Sequence, residues 1–152
     1  MHRPAGLLAR MRGVTLLELM IVVIILSILA AIAFPSYRSY VMRTNRTEAT
    51  AALLNIASNQ ERFYLQNNTY ATNAQLPTAP PNGLGIPTTT EGGRYTLSIT
   101  AANAAGFTAQ AVPATGGGQT ADTACQAFTI NAQGIRAATK GGGGDNTAEC
   151  WR

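Results

Sequence analysis

Histidine and cysteine are scarce in this chain of 152 residues, which has one histidine, His2, and two cysteines, Cys125 and Cys150. If the first residues are removed on maturation, no imidazole is left for Ser-His or Cys-His catalysis or for a histidine-containing metal site. The cysteines do not form a CxxC motif, so the usual four-ligand zinc sites are excluded. Glycine-rich nucleotide-binding motifs of the P-loop and Rossmann kinds are also missing. The sequence therefore predicts a protein that is not an enzyme and has neither a metal site nor a cofactor.

Charged residues make up only 12% of the chain against 46% hydrophobic residues, so the apolar content must be concentrated in one segment. The length fits one domain. The net charge of +4 depends on Arg3, Arg10 and Arg12, which lie before the apolar segment. A chain beginning at Val14 would carry eight basic residues against seven acidic ones. The positive charge is therefore a property of the N-terminus and does not indicate a basic surface for nucleic acid.

Residues 14–34 are almost entirely apolar, with Thr15, Glu18 and Ser27 as the polar exceptions. A helix rises about 1.5 Å per residue, so this segment spans roughly 31 Å, the thickness of the hydrocarbon core of a bilayer. By the positive-inside rule the arginines before it stay in the cytoplasm, and the rest of the chain is predicted to lie outside. A cleaved secretory signal peptide is the competing interpretation, but the run is long and no A-x-A-like site follows it.

The predicted compartment also decides whether the two cysteines form a disulfide. In an oxidising environment outside the cytoplasm, Cys125 and Cys150 would form one disulfide. Two free thiols in a cytosolic protein are the alternative. The predicted export of the chain favours the disulfide.

The remaining sequence predicts an amphipathic continuation of the helix and a small antiparallel sheet. Pro35 predicts a kink, and residues 36–66 then contain neither glycine nor proline. Residues 67–93 are rich in proline and glycine and predict a surface loop. Alternating patterns predict short strands at residues 94–100, 107–111, 128–130 and 135–137, which would pair as an antiparallel meander. The fold class is therefore α+β, with a helix packed on the sheet. The predicted helical stripe consists of Ala49, Ala52, Leu53, Ile56, Ala57, Gln60, Phe63 and Tyr64, with Arg46 and most other charged residues placed elsewhere.

The sharpest motif is the junction of residues 10–19, RMRGVTLLEL, where a short basic leader ends in glycine directly before the apolar helix. A carboxylate in lipid is costly, so Glu18 is expected to have a partner or a function. This junction resembles the class III signal of a type IV prepilin. The resemblance implies cleavage after Gly13 and methylation of the new amine of Val14 by a membrane prepilin peptidase. It also implies assembly roles for Thr15, Glu18 and Pro35, although the family usually has phenylalanine at the position of Val14.

The resemblance extends to the architecture, because residues 49–70 and the C-terminal cysteine pair resemble the PilE-type minor pilins. It implies the pilin fold, with a leader (1–13), a transmembrane half of the helix (14–35), an amphipathic half (36–66), a loop (67–93) and a sheet with a disulfide-bounded C-terminal region (94–152). The function implied is that of a structural subunit of a type IV pilus, in twitching motility, adhesion or DNA uptake.

The resemblance also implies a set of partners and a location. The partners are other pilin subunits, the prepilin peptidase and methylase, and the inner-membrane assembly machinery. The location is the bacterial inner membrane, with the lipid bilayer around the helix before assembly, and then the pilus on the cell surface. In the filament, Glu18 would pair with the Val14 amine of a neighbouring subunit.

Two alternative functions stay open. Some minor pilins of this group bind DNA, and Arg94, Arg136, Lys140 and Arg152 are the candidate contacts if they gather near the sheet edge and tail. A mixed, solvated surface is the competing interpretation of these four residues. The other alternative is a pseudopilin of a type II secretion system, against which the C-terminal cysteine pair counts.

Two further clusters have structural interpretations. Phe63, Tyr64 and Tyr70 could stack on nucleic-acid bases, but such aromatics more often pack a helix on its sheet. Asp145, Asn146 and Glu149 lie beside four glycines and could ligate calcium, but their spacing does not match an EF-hand. We therefore expect a core cluster in the first case and a plain loop in the second.

Overall fold

The computed structural model describes residues 13–152. The predicted leader, with His2, Arg3, Arg10 and Arg12, lies outside the described residues, apart from Gly13. The chain divides into two compact units, one ending at Ser39 and the other comprising Tyr40–Arg152. We describe each unit by itself.

Helix α1 extends over Leu16–Asn67 and begins with a side-chain cap. The Thr15 hydroxyl accepts a hydrogen bond from the Glu18 backbone N–H (3.2 Å), and the Thr15 carbonyl accepts one from Leu19 N–H (3.1 Å). Thr15 is therefore the N-cap residue, and Glu18 occupies the third helical position. A carboxylate in this first turn also interacts favourably with the positive end of the helix dipole.

Within residues 13–152, α1 is the one helix that is long and apolar enough to cross a membrane. The helix continues through Pro35, which cannot donate a backbone hydrogen bond. Ser39 donates its hydroxyl to the Pro35 carbonyl (3.1 Å). At the other end, α1 stops one residue beyond the expected Gln66, where Asn68 adopts a left-handed conformation with φ 52°. Asparagine is one of the few residues that tolerate this conformation at a helix end.

Four antiparallel strands form the predicted meander, in the order β1-β2-β3-β4. A short helix α2, Thr147–Cys150, follows β4. One register row aligns Leu97, Ala111, Phe128 and Ala138, and all four residues are buried. The alternation of buried and outward side chains along β1, β2 and β3 confirms a sheet with one covered face. The strands are β1 Tyr95–Asn103, β2 Gly106–Pro113, β3 Ala127–Asn131 and β4 Arg136–Thr139.

The buried stripe of α1 matches the prediction at most positions but begins one turn earlier. Its members are Arg46, Ala49, Leu53, Ile56, Gln60 and Phe63. The expectation that Arg46 belongs to the polar face was wrong, because Arg46 is only 8% exposed. Arg46 precedes Ala49 by three residues, so it continues the same helical spacing.

The proline- and glycine-rich segment between α1 and β1 is not only a surface loop. Leu76, Leu84 and Ile86 belong to the hydrophobic core. The side chain of buried Gln60 donates to the Ala71 carbonyl and accepts from the Ala71 N–H, both at 2.8 Å. Because both amide atoms are satisfied, a buried glutamine can anchor this segment to the helix without an unpaired polar group.

Both edges of the sheet are covered by other parts of the chain. Along β1, Leu97 N–H donates to the Thr88 carbonyl (2.7 Å) and Thr90 N–H donates to the Tyr95 carbonyl (3.0 Å). Along β4, Asn146 N–H donates to the Ala138 carbonyl (2.9 Å). Exposed edges invite pairing with other chains, so these segments protect the unit from edge-to-edge aggregation.

Candidate functional site

The residues at the predicted cleavage point lie in an exposed segment outside the helix. Gly13 and Val14 are exposed and precede the cap of α1. A Cβ atom added at Gly13 would meet nothing within 4 Å. Glu18 is also exposed, and its backbone N–H donates to the Thr15 hydroxyl. The carboxylate is therefore presented on the surface of the apolar helix, three residues after the capping threonine.

The apolar half of α1 has no covering layer in the unit that contains it. Its large hydrophobic side chains are exposed to between 49% at Val22 and 79% at Leu16. A surface of this size in water would be unstable unless lipid or other apolar helices covered it. The unit that contains this segment therefore leaves its apolar surface uncovered.

In the Tyr40–Arg152 unit, the two cysteines form the predicted disulfide. Cys125 and Cys150 are bonded across a sequence separation of 25, and both are buried. The bond ties α2 to the segment that precedes β3. Trp151, the next residue, donates its indole N–H to the Ala137 carbonyl (2.9 Å) and packs against Phe128.

A buried ion pair connects α1 to this C-terminal region. Arg46 donates from Nε to Asp122 Oδ2 (2.7 Å) and from a terminal nitrogen to Asp122 Oδ1 (2.8 Å), a bidentate arrangement. The other terminal nitrogen lies 3.5 Å from Glu149 Oε1. The hydrogen bond to Asp122 raises the pKa of Arg46 against the opposing effect of burial. Gln119 completes the group by donating to the Met42 carbonyl (2.8 Å) and to Asp122 (3.2 Å).

Sequence reasoning missed this group entirely. Gln119 and Asp122 lie in a short segment without regular periodicity, and neither belongs to a motif. The available signal was the spacing of Arg46, which continues the buried stripe of α1 toward the N-terminus. A buried arginine requires an acidic partner, and Asp122, three residues before a disulfide cysteine, was one candidate.

A second ion pair attaches the segment before β1 to the same helix. Glu48 accepts hydrogen bonds from Arg94 (2.7 Å) and from the Gly92 backbone N–H (2.8 Å). Burial alone would raise the pKa of Glu48, but hydrogen bonds from Thr90, Arg94 and Gly92 together lower it. Arg94 is thus a structural partner of Glu48.

The candidate DNA contacts are divided between the two edges of the sheet. Arg94 precedes edge strand β1, whereas Arg136 and Lys140 lie at the two ends of β4, the opposite edge. The Arg136 guanidinium lies 5.3 Å from the centre of the Trp151 ring, a cation–π geometry. Arg152 follows Trp151 directly and donates to the Ala148 carbonyl (3.0 Å). Three of the four predicted contacts therefore belong to β4 and the tail, and Arg94 stands apart from them.

The aromatic cluster has a packing geometry. Phe63 is buried, Tyr64 and Tyr70 stack at 4.7 Å, and Tyr70 lies 5.0 Å from Phe107. Tyr70 donates its hydroxyl to Glu61 (3.1 Å). These contacts join the end of α1 to the sheet, as expected for core aromatics.

The three residues considered as calcium ligands, Asp145, Asn146 and Glu149, form hydrogen bonds within the chain. Asp145 accepts from the Thr147 hydroxyl (2.6 Å), and Asn146 donates to the Ala124 carbonyl (3.0 Å). Within residues 13–152, no group of three or more His, Cys, Asp or Glu side chains is arranged to hold a metal ion. Glu149 accepts from the Asn146 side chain (3.3 Å), so these residues contact one another and neighbouring parts of the chain.

Type IV pilins are the class of protein that combines an apolar N-terminal helix with a small antiparallel sheet and a disulfide near the C-terminus. The family model described as type IV minor pilin ComP, DNA uptake sequence receptor, matches residues 35–129. This is more than half of the chain, so the chain belongs to that family of minor pilins. A second model, the prokaryotic N-terminal methylation motif, matches residues 8–34. Arg136, Lys140, Cys150 and Arg152 lie beyond both matches.

A structural comparison agrees with the fold. A crystal structure of the non-core minor pilin PilV of Neisseria meningitidis matches with a TM-score of 0.52 and 23% sequence identity. The match covers 70% of this chain and 94% of that chain. At this identity the similarity shows the pilin fold alone. The comparison with curated proteins gave no significant match.

Proposed function

We propose that the chain is cleaved after Gly13, methylated on the amine of Val14, and stored in the bacterial inner membrane. The Tyr40–Arg152 unit, here called the head, then lies outside the cytoplasm. From the membrane the chain enters a type IV pilus as a minor subunit. The observation that carries this proposal is the uncovered apolar half of α1, which bears one exposed carboxylate, Glu18, in its first turn. Lipid covers this surface before assembly and neighbouring pilin helices cover it in the filament.

Glu18 has a specific role in this proposal. The Thr15 cap binds the backbone N–H of Glu18 and so places this residue in the first turn, where its carboxylate requires a cation once water is excluded. The methylated amine of Val14 on a neighbouring subunit supplies that cation. Charge pairing between the two groups sets the axial register of each incoming subunit. A prepilin peptidase with methylase activity and the inner-membrane assembly machinery are the partners that this route requires.

The test compares Glu18→Ala with Glu91→Ala, a substitution of an exposed glutamate in the head. Mass spectrometry of membranes measures cleavage and methylation, and immunoblotting of sheared filaments measures incorporation. We expect Glu18→Ala to be processed and inserted but lost from filaments, and Glu91→Ala to be incorporated normally. Normal incorporation of the Glu18 variant would overturn the pairing role.

We further propose that the head is a receptor for DNA. The family description names a DNA uptake sequence receptor. In this chain Arg136, Lys140 and Arg152 supply positive charge along β4 and the tail, where Trp151 holds the Arg136 guanidinium in place. Exposed cationic side chains bind DNA mainly through its phosphates, so this part of the interaction depends strongly on salt.

A binding assay with the purified chain in zwitterionic micelles tests the receptor role. We expect duplex DNA to be shifted in a gel at low salt and released at higher salt. The double variant Arg136→Ala/Lys140→Ala should weaken binding, whereas Arg94→Ala should not, because Arg94 is paired with Glu48. Absence of any shift for the unmodified chain at low salt would remove the DNA role and leave the structural role unaffected.

A further inference from the structure

A basic pocket lies between α1 and the C-terminal tail, within the Tyr40–Arg152 unit. It is lined by Arg43, Arg46, Glu149, Cys150 and Arg152 and has a volume of about 260 Å³. A water molecule occupies about 30 Å³ in the liquid, so the basic pocket has room for a tetrahedral oxyanion together with several waters. Three guanidinium groups and one carboxylate line it, and Asp122 pairs with Arg46 beside it, so these side chains together carry a charge of +1.

The three arginines differ in how far their own hydrogen bonds are used. Arg46 is fixed in place by Asp122, which also balances its charge, so the positive charge open to a ligand comes from Arg43 and Arg152. Arg152 uses Nε for the Ala148 carbonyl, and this bond does not involve its two terminal nitrogens. Arg43 is exposed, and its side chain is not engaged in any of the ion pairs found in the described residues. Arg43 and Arg152 therefore offer planar forks that match the geometry of a phosphate.

We propose that the basic pocket binds one backbone phosphate of DNA, between Arg43 and Arg152 and above Arg46. This inference rests on the proposed DNA function and adds to it a contact on the helix side of the head. Arg152 belongs both to the pocket and to the predicted contacts of the tail, so one strand of DNA can engage both. A phosphate contact positions the duplex and carries no sequence information.

The experiment measures the affinity of the full chain in zwitterionic micelles for fluorescent duplex DNA across a range of salt concentrations. The variants are Arg43→Ala, Arg43→Lys and Arg152→Ala. The matched control is Arg62→Ala, which removes another exposed arginine of α1 that lies outside the pocket. Trp151 fluorescence checks that each variant is folded, because this side chain packs on Phe128 in the head.

Each phosphate contact contributes about 0.9 to the slope of log affinity against log salt on B-form DNA. Removing one contact therefore reduces the affinity lost between about 50 mM and about 200 mM salt by a factor of about 3.5. We expect this reduction for Arg43→Ala on duplexes of unrelated sequence, with a similar change for Arg152→Ala. Arg43→Lys keeps the charge and should keep the slope, and Arg62→Ala should leave it unchanged.

Two contrary outcomes are distinguishable. If the unmodified chain binds DNA but Arg43→Ala has the same salt slope as Arg62→Ala, the basic pocket does not hold a phosphate and the receptor role stands. If the unmodified chain binds no DNA at low salt, the receptor role and the phosphate contact both fall.

Discussion

The buried ion pair between Arg46 and Asp122 provides the most stringent test of how the head is held together. The substitution Asp122→Ala removes the bidentate carboxylate and leaves the buried Arg46 guanidinium with only the half-exposed Glu149, 3.5 Å away, as an acidic neighbour. Removing one partner of a buried pair costs about 3–5 kcal/mol, because the remaining charge has lost both water and its counter-ion. We therefore expect the free energy of unfolding to fall by about 3–5 kcal/mol.

Two matched variants separate this effect from a general loss of contacts. Glu149→Ala removes the other carboxylate near Arg46, but Glu149 is 49% exposed and lies farther away, at 3.5 Å. An exposed pair contributes about 1 kcal/mol or less, so this variant should be nearly neutral. The double variant Arg46→Met/Asp122→Leu removes both charges and should recover much of the stability lost by Asp122→Ala.

Urea unfolding followed by Trp151 fluorescence measures these differences, since the chain has one tryptophan and it packs in the head. With a denaturant slope of about 2 kcal/mol per molar, the Asp122→Ala midpoint should fall by roughly 1.5–2.5 M. A loss no larger than that of Glu149→Ala would refute the assignment of Asp122 as the main partner of Arg46.

The remaining predictions concern the disulfide, the second ion pair and the core. Replacing Cys125 and Cys150 by serine should cost about 3.5 kcal/mol in the chain-entropy model, measured by the same urea assay; a loss near zero would contradict a stabilising bond. Because folding lowers the pKa of Glu48, its carboxylate stabilises the fold above the unfolded pKa, and this stabilisation is lost as pH falls through the folded pKa. Glu48→Gln should therefore be less stable than the unmodified chain near neutral pH, with the difference shrinking in acid. A difference in stability that does not change with pH would count against this role of the carboxylate. Phe128→Ala should cost about 3–5 kcal/mol, since Phe128 is fully buried at the centre of the sheet, and a loss below about 1 kcal/mol would show that the site is not packed as described.

Much of the fold was predictable because its signals are local. The apolar run, the spacing of Leu53, Ile56 and Phe63 on α1, and the alternation in the strands each reflect a period set by backbone geometry. The disulfide was predictable from the number of cysteines and the inferred compartment. The resemblance of the junction at Gly13 to a prepilin signal then connected these elements to the pilin family.

The interactions that hold the head together were not predictable in the same way. Arg46 and Asp122 are 76 positions apart in sequence, and nothing local to either residue specifies the other. The proline and glycine content of the segment between α1 and β1 predicts a surface loop, yet Leu76 and Leu84 enter the core. Composition describes how a segment bends, whereas its burial depends on which partners the tertiary fold brings to it.

The division of the basic residues has the same origin. Arg94 and Arg136 were grouped as cationic side chains near the sheet, but strand order places them beside opposite edges. To predict that Arg94 pairs with Glu48, one must know where α1 lies relative to the segment before β1. Charge alone could not separate a residue that stabilises the head from one that is free to contact a partner.

The central claim is that this chain is a minor subunit of a type IV pilus, and quantification of the chain in sheared, purified filaments tests it most directly. We expect the chain to be present in filaments, to begin at methylated Val14, and to be much less abundant than the main pilin. Absence from filaments, with the chain recovered instead with a type II secretion system, would contradict it.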